Sequence, residues 1–186
     1  MMQSLESLPD DLPPPVDDGA CDHLAGRSLP SVELHSTQGG IVNVGAIKGW
    51  LVIYCYPMTG QPDVPLPDGW DAIPGARGCT PQTCGFRDHY QELGALKAQV
   101  FGLSTQSTEY QQEAALRLDL PFALLSDAAL KFTRGLELPT FGINGMRLNR
   151  RVTLVAYDGL IRKCFYPVFP PDKNADEVLA WLGMQA

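Results

Sequence analysis

The run Trp50-Leu-Val-Ile-Tyr-Cys-Tyr56, stopped by Pro57, constrains the fold of this chain more than any other segment. Seven apolar residues without alternation fit a strand buried on both faces, and such strands lie in sheets covered by helices on both sides. The run is far short of the ~20 residues that a membrane span needs. A second buried run, Val100 to Ser104, follows a stretch in which Phe86, Tyr90, Leu93 and Leu96 recur at helical spacing. That stretch predicts a helix from about Pro81 to Lys97, with Thr80 as N-cap and Pro81 at the first helical position. Strand, helix and strand in this order form a right-handed crossover.

The rest of the chain continues the alternation. Val32 to His35 and Ile41 to Val44, on either side of Gly39-Gly40, read as a short antiparallel pair. Helices are expected over Thr108 to Leu118, Ala128 to Leu136 and Asp176 to Leu182, with a short strand at Phe122 to Leu125. Val152 to Tyr157 and Leu160 to Tyr166 flank Asp158-Gly159, a two-residue hairpin turn. The fold class predicted is α/β, a sandwich with a mixed central sheet flanked by helices.

A length of 186 residues suits a single domain, expected over 24–186. Residues 1–23 carry several acidic residues and Pro13-Pro14-Pro15, and are expected to be a mobile extension or to drape loosely on the domain. Residues 58–74 hold four prolines, two glycines and Trp70, and read as an insertion. It can serve as a lid, as a docking rim for a reductant or as a plain surface loop. The last is favoured, because long surface insertions cost little stability.

A net charge of -7 and scattered basic residues, the densest group being Arg147, Arg150 and Arg151, argue against nucleic acid as a partner. The first residues lack a positive stretch followed by an apolar core, so the expected address is the cytoplasm. Thiols there are kept reduced, and a close cysteine pair is more often catalytic or metal-binding than structural. Five cysteines, an odd count, also speak against a disulfide scaffold. A structural zinc site needs four ligands, and Cys21, His23, His35 and His89 have no paired ligand spacing. No metal and no cofactor is therefore expected.

The segment that carries chemistry is Gly78-Cys79-Thr80-Pro81-Gln82-Thr83-Cys84-Gly85-Phe86-Arg87-Asp88. A thiol at a helix start faces unpaired N–H groups and the positive end of the helix dipole, which favour the thiolate. Arg77 adds positive charge nearby. A thiolate can attack the O–O bond of a peroxide and become a sulfenic acid, which a second thiol resolves as a disulfide. Cys79 shares the inward stripe of Phe86, whereas Cys84 points roughly 200° away. In helical geometry their Cα atoms are roughly 8 to 9 Å apart, beyond the ~7 Å limit of a disulfide. A bond between them requires the first turn to unwind, beside Gly85, a weak helix former. The spacing alone also fits two unrelated buried cysteines.

Read from Gly78 to Asp88, Gly-Cys-Thr-x-x-x-Cys-x-Phe-Arg-Asp resembles the active-site signature of peroxiredoxins of the bacterioferritin comigratory protein, or peroxiredoxin Q, class. The likeness extends over roughly residues 25 to 185. It takes in Tyr56-Pro57, Phe101-Gly-Leu-Ser-Thr105, Pro121-Phe-Ala-Leu-Leu-Ser-Asp127 and the Asp158-Gly159 hairpin. The resemblance implies a thioredoxin-like fold and a thiol-dependent peroxidase acting on hydrogen peroxide and organic hydroperoxides. Its partner would be thioredoxin or a similar dithiol reductant, and its state a monomer or loose dimer. Cys79 then resembles the peroxidatic cysteine and Cys84 the resolving one. The family's active-site arginine falls at Arg150, nine residues before Gly159, with Arg151 as the alternative. A guanidinium there stays charged and hydrogen-bonds the peroxide oxygens.

Two positions depart from the family pattern. Ala76 stands where the family has Thr or Ser, and the proline usual seven residues before the cysteine is absent, with Pro57 and Pro74 on either side of that place. Either Thr59 folds back over the site, or the hydroxyl's role is missing or filled by water. Cys55 reads as an inert core residue, Cys164 as a strand residue, Cys21 as exposed, and His89 as a surface or packing residue. A disulfide reductase is disfavoured, since no Cys-x-x-Cys occurs. A non-enzymatic redox-sensing module on the same fold is the remaining alternative.

Overall fold

The computed structural model describes residues 5 and 7–185. A seven-stranded sheet runs in the order β2-β1-β5-β4-β3-β8-β9, built from β1 (Leu34–Ser36), β2 (Ile41–Val42), β3 (Trp50–Cys55), β4 (Ala98–Ser104), β5 (Leu124–Ser126), β8 (Val152–Tyr157) and β9 (Leu160–Phe165). β3 pairs parallel to β4 and β4 to β5, while the outer pairings are antiparallel. The mixed, helix-flanked α/β sandwich expected from the sequence is the fold observed. Among the described residues five α-helices accompany it: α1 (Cys79–Asp88), α2 (Tyr90–Ala95), α3 (Thr108–Arg117), α4 (Lys131–Leu136) and α5 (Asn174–Gly183).

β3 is buried on both sides because its two residue sets serve two cores. Leu51, Ile53 and Cys55 pack with Phe132 and Leu136 of α4, whereas Val52, Tyr54 and Tyr56 pack with Phe86, Leu93, Val178 and Leu182 of α1, α2 and α5. Tyr54 lies face to face with Phe86, ring centroids 4.5 Å apart. Burying Phe86 contributes about 2 to 3 kcal/mol and ties α1 to the central strand.

The expected single helix from Pro81 to Lys97 is two helices. His89 leaves helical geometry at φ -96°, ψ 9° and separates α1 from α2. Thr80 is not the N-cap: Gly78 takes that place in a left-handed conformation, φ 104°, and the helix starts at Cys79. Only glycine fits there. An added Cβ would lie 2.3 Å from Pro171 and 2.8 Å from Leu8. α4 begins at Lys131 rather than Ala128, because the Asp127 carboxylate accepts from the Phe132 and Thr133 N–H groups.

A second sheet, β6 (Thr140–Ile143) with β7 (Met146–Asn149), was not expected. Its turn, Asn144-Gly145, is itself a strong two-residue hairpin signal. Residues 58–74 are also more than a surface loop. Met58, Thr59 and Trp70 are buried, and Met58, Trp70, Ala76 and Leu148 form a third core with Phe141 of β6 packed against it. Of the expected extension, residues 1–4 and 6 lie outside the described residues. Cys21 is not exposed; it is buried in the α4-side core, because the following segment pairs with β9. Among the described residues no helix is long and apolar enough to cross a membrane.

Candidate active site

Cys79 opens α1, where the chain returns from residues 58–74 to the sheet, and only 3% of its surface is exposed. Its thiol points back at the Ala76 carbonyl oxygen, 3.7 Å away. The N–H groups of the first turn have no helical carbonyl before them, so the sulfur sits at the positive end of the helix.

The nearest charge is Arg151. Its Nη2 donates to Cys79 Sγ at 3.2 Å, to the Ala76 carbonyl at 3.2 Å and to the Arg77 carbonyl at 3.1 Å. Its Nη1 donates to Gln82 Oε1. Gln82 Nε2 donates to Asn174 Oδ1 at 2.9 Å, which also accepts from the Thr153 hydroxyl at 2.6 Å. All four side chains are buried, so the guanidinium is fixed from α1, α5 and β8 together. Among the described residues no carboxylate pairs with it, and its Nε is buried without a hydrogen-bond partner. A buried cation without a counter-ion is costly, and the sulfur of Cys79, once ionised, is the anion within reach.

The arginine favoured from the sequence is elsewhere. Arg150 lies outside the site, its Nη1 3.4 Å from Asp18 Oδ2 at the surface. The two-residue strand period explains the exchange. Val152 and Leu154 face the α4-side core, so Arg150 shares their side, whereas Arg151 shares the side of Thr153 and Val155 that faces Cys79. That periodicity was legible in the sequence and outranks a count back from the turn.

Cys84 sits on α1, half-buried, and neither it nor Cys79 is in a disulfide. Arg77 is buried, and its side chain pairs with Asp71 of residues 58–74 at 3.2 Å, which offsets the charge it was expected to lend. A shallow depression over Cys79 is lined by Leu5, Met58, Gly60, Leu66, Trp70, Arg77, Gly78 and Thr80. Thr59, between two of these residues, is fully buried with its hydroxyl unpartnered, and its carbonyl accepts from Tyr110 at 2.8 Å. The sequence offered no sign of Gln82 or Asn174, whose work depends on two helices meeting. Among the described residues no cluster of His, Cys, Asp or Glu could hold a metal ion.

The arrangement is a buried thiol at a helix start with a guanidinium on its sulfur, surroundings that suit thiolate chemistry. The family model described as Redoxin matches residues 24–179. The chloroplastic peroxiredoxin Q of Sedum lineare is 30% identical over 158 residues, 84% of this chain and 76% of that one. The chloroplastic peroxiredoxin Q of Gentiana triflora is 28% identical over 187 residues, 97% of this chain and 79% of that one. Among solved structures, the peroxidoxin BcpB of Mycobacterium tuberculosis superposes with a TM-score of 0.71 at 25% identity, over 87% of this chain and 97% of that one. The bacterioferritin comigratory protein of Xanthomonas campestris, studied for alkyl peroxide reduction, shares the fold at a TM-score of 0.66 and 20% identity, over 94% of this chain and 99% of that one.

Proposed function

The chain belongs to the Redoxin family, as a peroxiredoxin of the Q class, and from that premise we propose a two-cysteine peroxidase cycle centred on Cys79. Family membership makes the protein an oxidoreductase with a peroxidase role, and it favours an enzyme over the redox-sensing alternative. The finer steps are our reading. The Cys79 thiolate attacks the terminal oxygen of hydrogen peroxide or an organic hydroperoxide; the O–O bond breaks, and the other oxygen leaves as water or an alcohol after taking a proton. Arg151, with one Nη on the sulfur and its Nε free, donates to the peroxide oxygens as charge moves onto the leaving one.

Cys79 is then a sulfenic acid. The first turn of α1 unwinds, Cys84 attacks the oxidised sulfur, and water leaves as the disulfide forms. Thioredoxin or a similar dithiol protein returns both thiols by exchange. Net, one hydroperoxide and two thiols give one alcohol or water, one water and one disulfide. Thr59 is our candidate for the hydroxyl that Ala76 does not supply, because its buried, unpartnered oxygen lies between residues that line the site. A reducing cytoplasm and a monomer or loose dimer complete the reading.

The single observation that carries this function is the Arg151 guanidinium on Cys79 Sγ without a carboxylate to neutralise it. The test is peroxide consumption with excess dithiol reductant. Wild type turns over many times, Cys79→Ser does not, and Cys84→Ser reacts once and then accumulates overoxidised Cys79. Full turnover by Cys79→Ser would sink the assignment.

A further inference from the structure

A second pair of cysteines lies in the core on the opposite side of the sheet. Cys21 and Cys55 belong to the α4-side core and Cys164 of β9 packs against it, whereas Cys79 lies in the core on the other side. The chain after Cys21 runs antiparallel along β9: Gly26 N–H donates to the Ile161 carbonyl and Ile161 N–H to the Arg27 carbonyl, each at 2.9 Å, and Ser28 bridges Leu160. The chain before it is also anchored, since Asp18 accepts from the Tyr166 hydroxyl at 2.9 Å and from Arg150 at 3.4 Å. Between these anchors Cys21 lies in the core against which Cys164 packs, and Cys164 stands opposite Leu154 of that same core.

The two thiols are not equivalent. Cys164 first, and then burial, push the Cys21 thiol up, whereas Cys21 first, and then Lys163, hold Cys164 down. Cys164 lies on the edge strand of the sheet and is only half-buried, so small oxidants reach it from solution. The third thiol of the neighbourhood, Cys55, is fully buried and pushed well up by that burial, which removes it from the chemistry.

We propose that Cys21 and Cys164 are a second redox-active dithiol, oxidised by hydroperoxide to a disulfide that staples the N-terminal segment to β9. The Cys164 thiolate attacks the O–O bond and becomes a sulfenic acid while an alcohol or water leaves. Cys21, losing its proton, attacks that sulfur, and the hydroxyl leaves as water. The balance is two thiols and one hydroperoxide to one disulfide, one alcohol or water, and one water. The bond closes a loop over most of the chain, and so restricts the unfolded ensemble. It also fixes one end of the segment whose Leu8 lies against Gly78 beside Cys79.

The test uses the full chain as Cys79→Ser/Cys84→Ser, so its result is independent of the function proposed for those two residues. The protein is treated with a small excess of hydrogen peroxide or, separately, diamide. Free thiols are then blocked with N-ethylmaleimide, and the peptides are mapped. The expected result is a cross-linked peptide containing Cys21 and Cys164, a free Cys55, and a melting temperature raised by about 5 °C or more. Adding Cys21→Ser removes the cross-link and the rise, and leaves a Cys164 sulfenic acid that dimedone traps. Should that variant not fold, Cys164→Ser and the wild-type map decide instead. Three free thiols after both oxidants, or a link to Cys55, overturns the pair. A link formed by diamide and never by peroxide overturns the oxidant.

Discussion

Cys79 and Cys55 are both almost fully buried, 3% and 0% exposed, yet they sit in opposite electrical surroundings. Cys79 has a helix start behind it and a guanidinium 3.2 Å from its sulfur. Cys55 is the last residue of β3, set among Leu, Ile and Val side chains, and burial pushes its thiol well up. Accessible area does not separate the proposed nucleophile from Cys55. What separates them is the fixed cation that accompanies the Cys79 sulfur into the interior.

The strongest way to break that contrast is to exchange the two sulfurs' fates. Cys79→Ser should lower peroxide turnover by ~10⁴-fold or more. Cys55→Ala should leave kcat/KM within about twofold and lower stability by roughly 1 kcal/mol through the small cavity it creates. Equal losses in the two variants would show that burial, not charge, sets reactivity. Next in size is the cation. Arg151→Met should cost about 10² to 10³-fold in kcat/KM and slow alkylation of Cys79 by iodoacetamide at fixed pH. Arg150→Ala, one residue away, should change either rate by less than about twofold. A larger effect from Arg150 would mean that the side chains exchange places in solution.

The smallest effect concerns the far end of α1. His89 reaches Glu92 at 2.7 Å and Asp176 of α5 at 2.8 Å, and Glu92 first, then Asp176, raises its pKa above the usual histidine value. A raised folded pKa contributes stability that is complete below the unfolded value near 6.5 and is lost as pH rises through the folded one. His89→Gln should therefore lower the melting temperature by about 1 to 2 °C at pH 5.5 and leave it unchanged at pH 9. The pair of pH values sharpens the comparison, because α1 is then held at its C-terminal end by a titratable clamp and at its start by a permanent charge.

The buried strands and the crossover between them were legible in the sequence, because apolar runs and helix spacing record burial directly. What escaped has physical reasons. The start of α1 was misplaced by a residue pair, Thr80-Pro81, that fits an N-cap locally; the clash of any Cβ at Gly78 with Pro171, 93 positions on, overrides it. Arg150 was favoured by distance along the chain, but the pleat of β8 decides which neighbour faces inward. Trp70 and the β6–β7 hairpin shape the wall of the site through contacts between segments about 70 residues apart, and no local pattern reports such a meeting.

Gln82 ties the first turn of α1 to two other parts of the molecule. It is held at one end by Arg151 and at the other by Asn174, so the turn cannot open toward Cys84 until both bonds let go. In the proposed cycle that clasp limits how soon the turn frees an oxidised Cys79, whatever the nucleophilicity of Cys84. A second oxidant molecule arriving within that interval would carry the sulfur past the sulfenic acid.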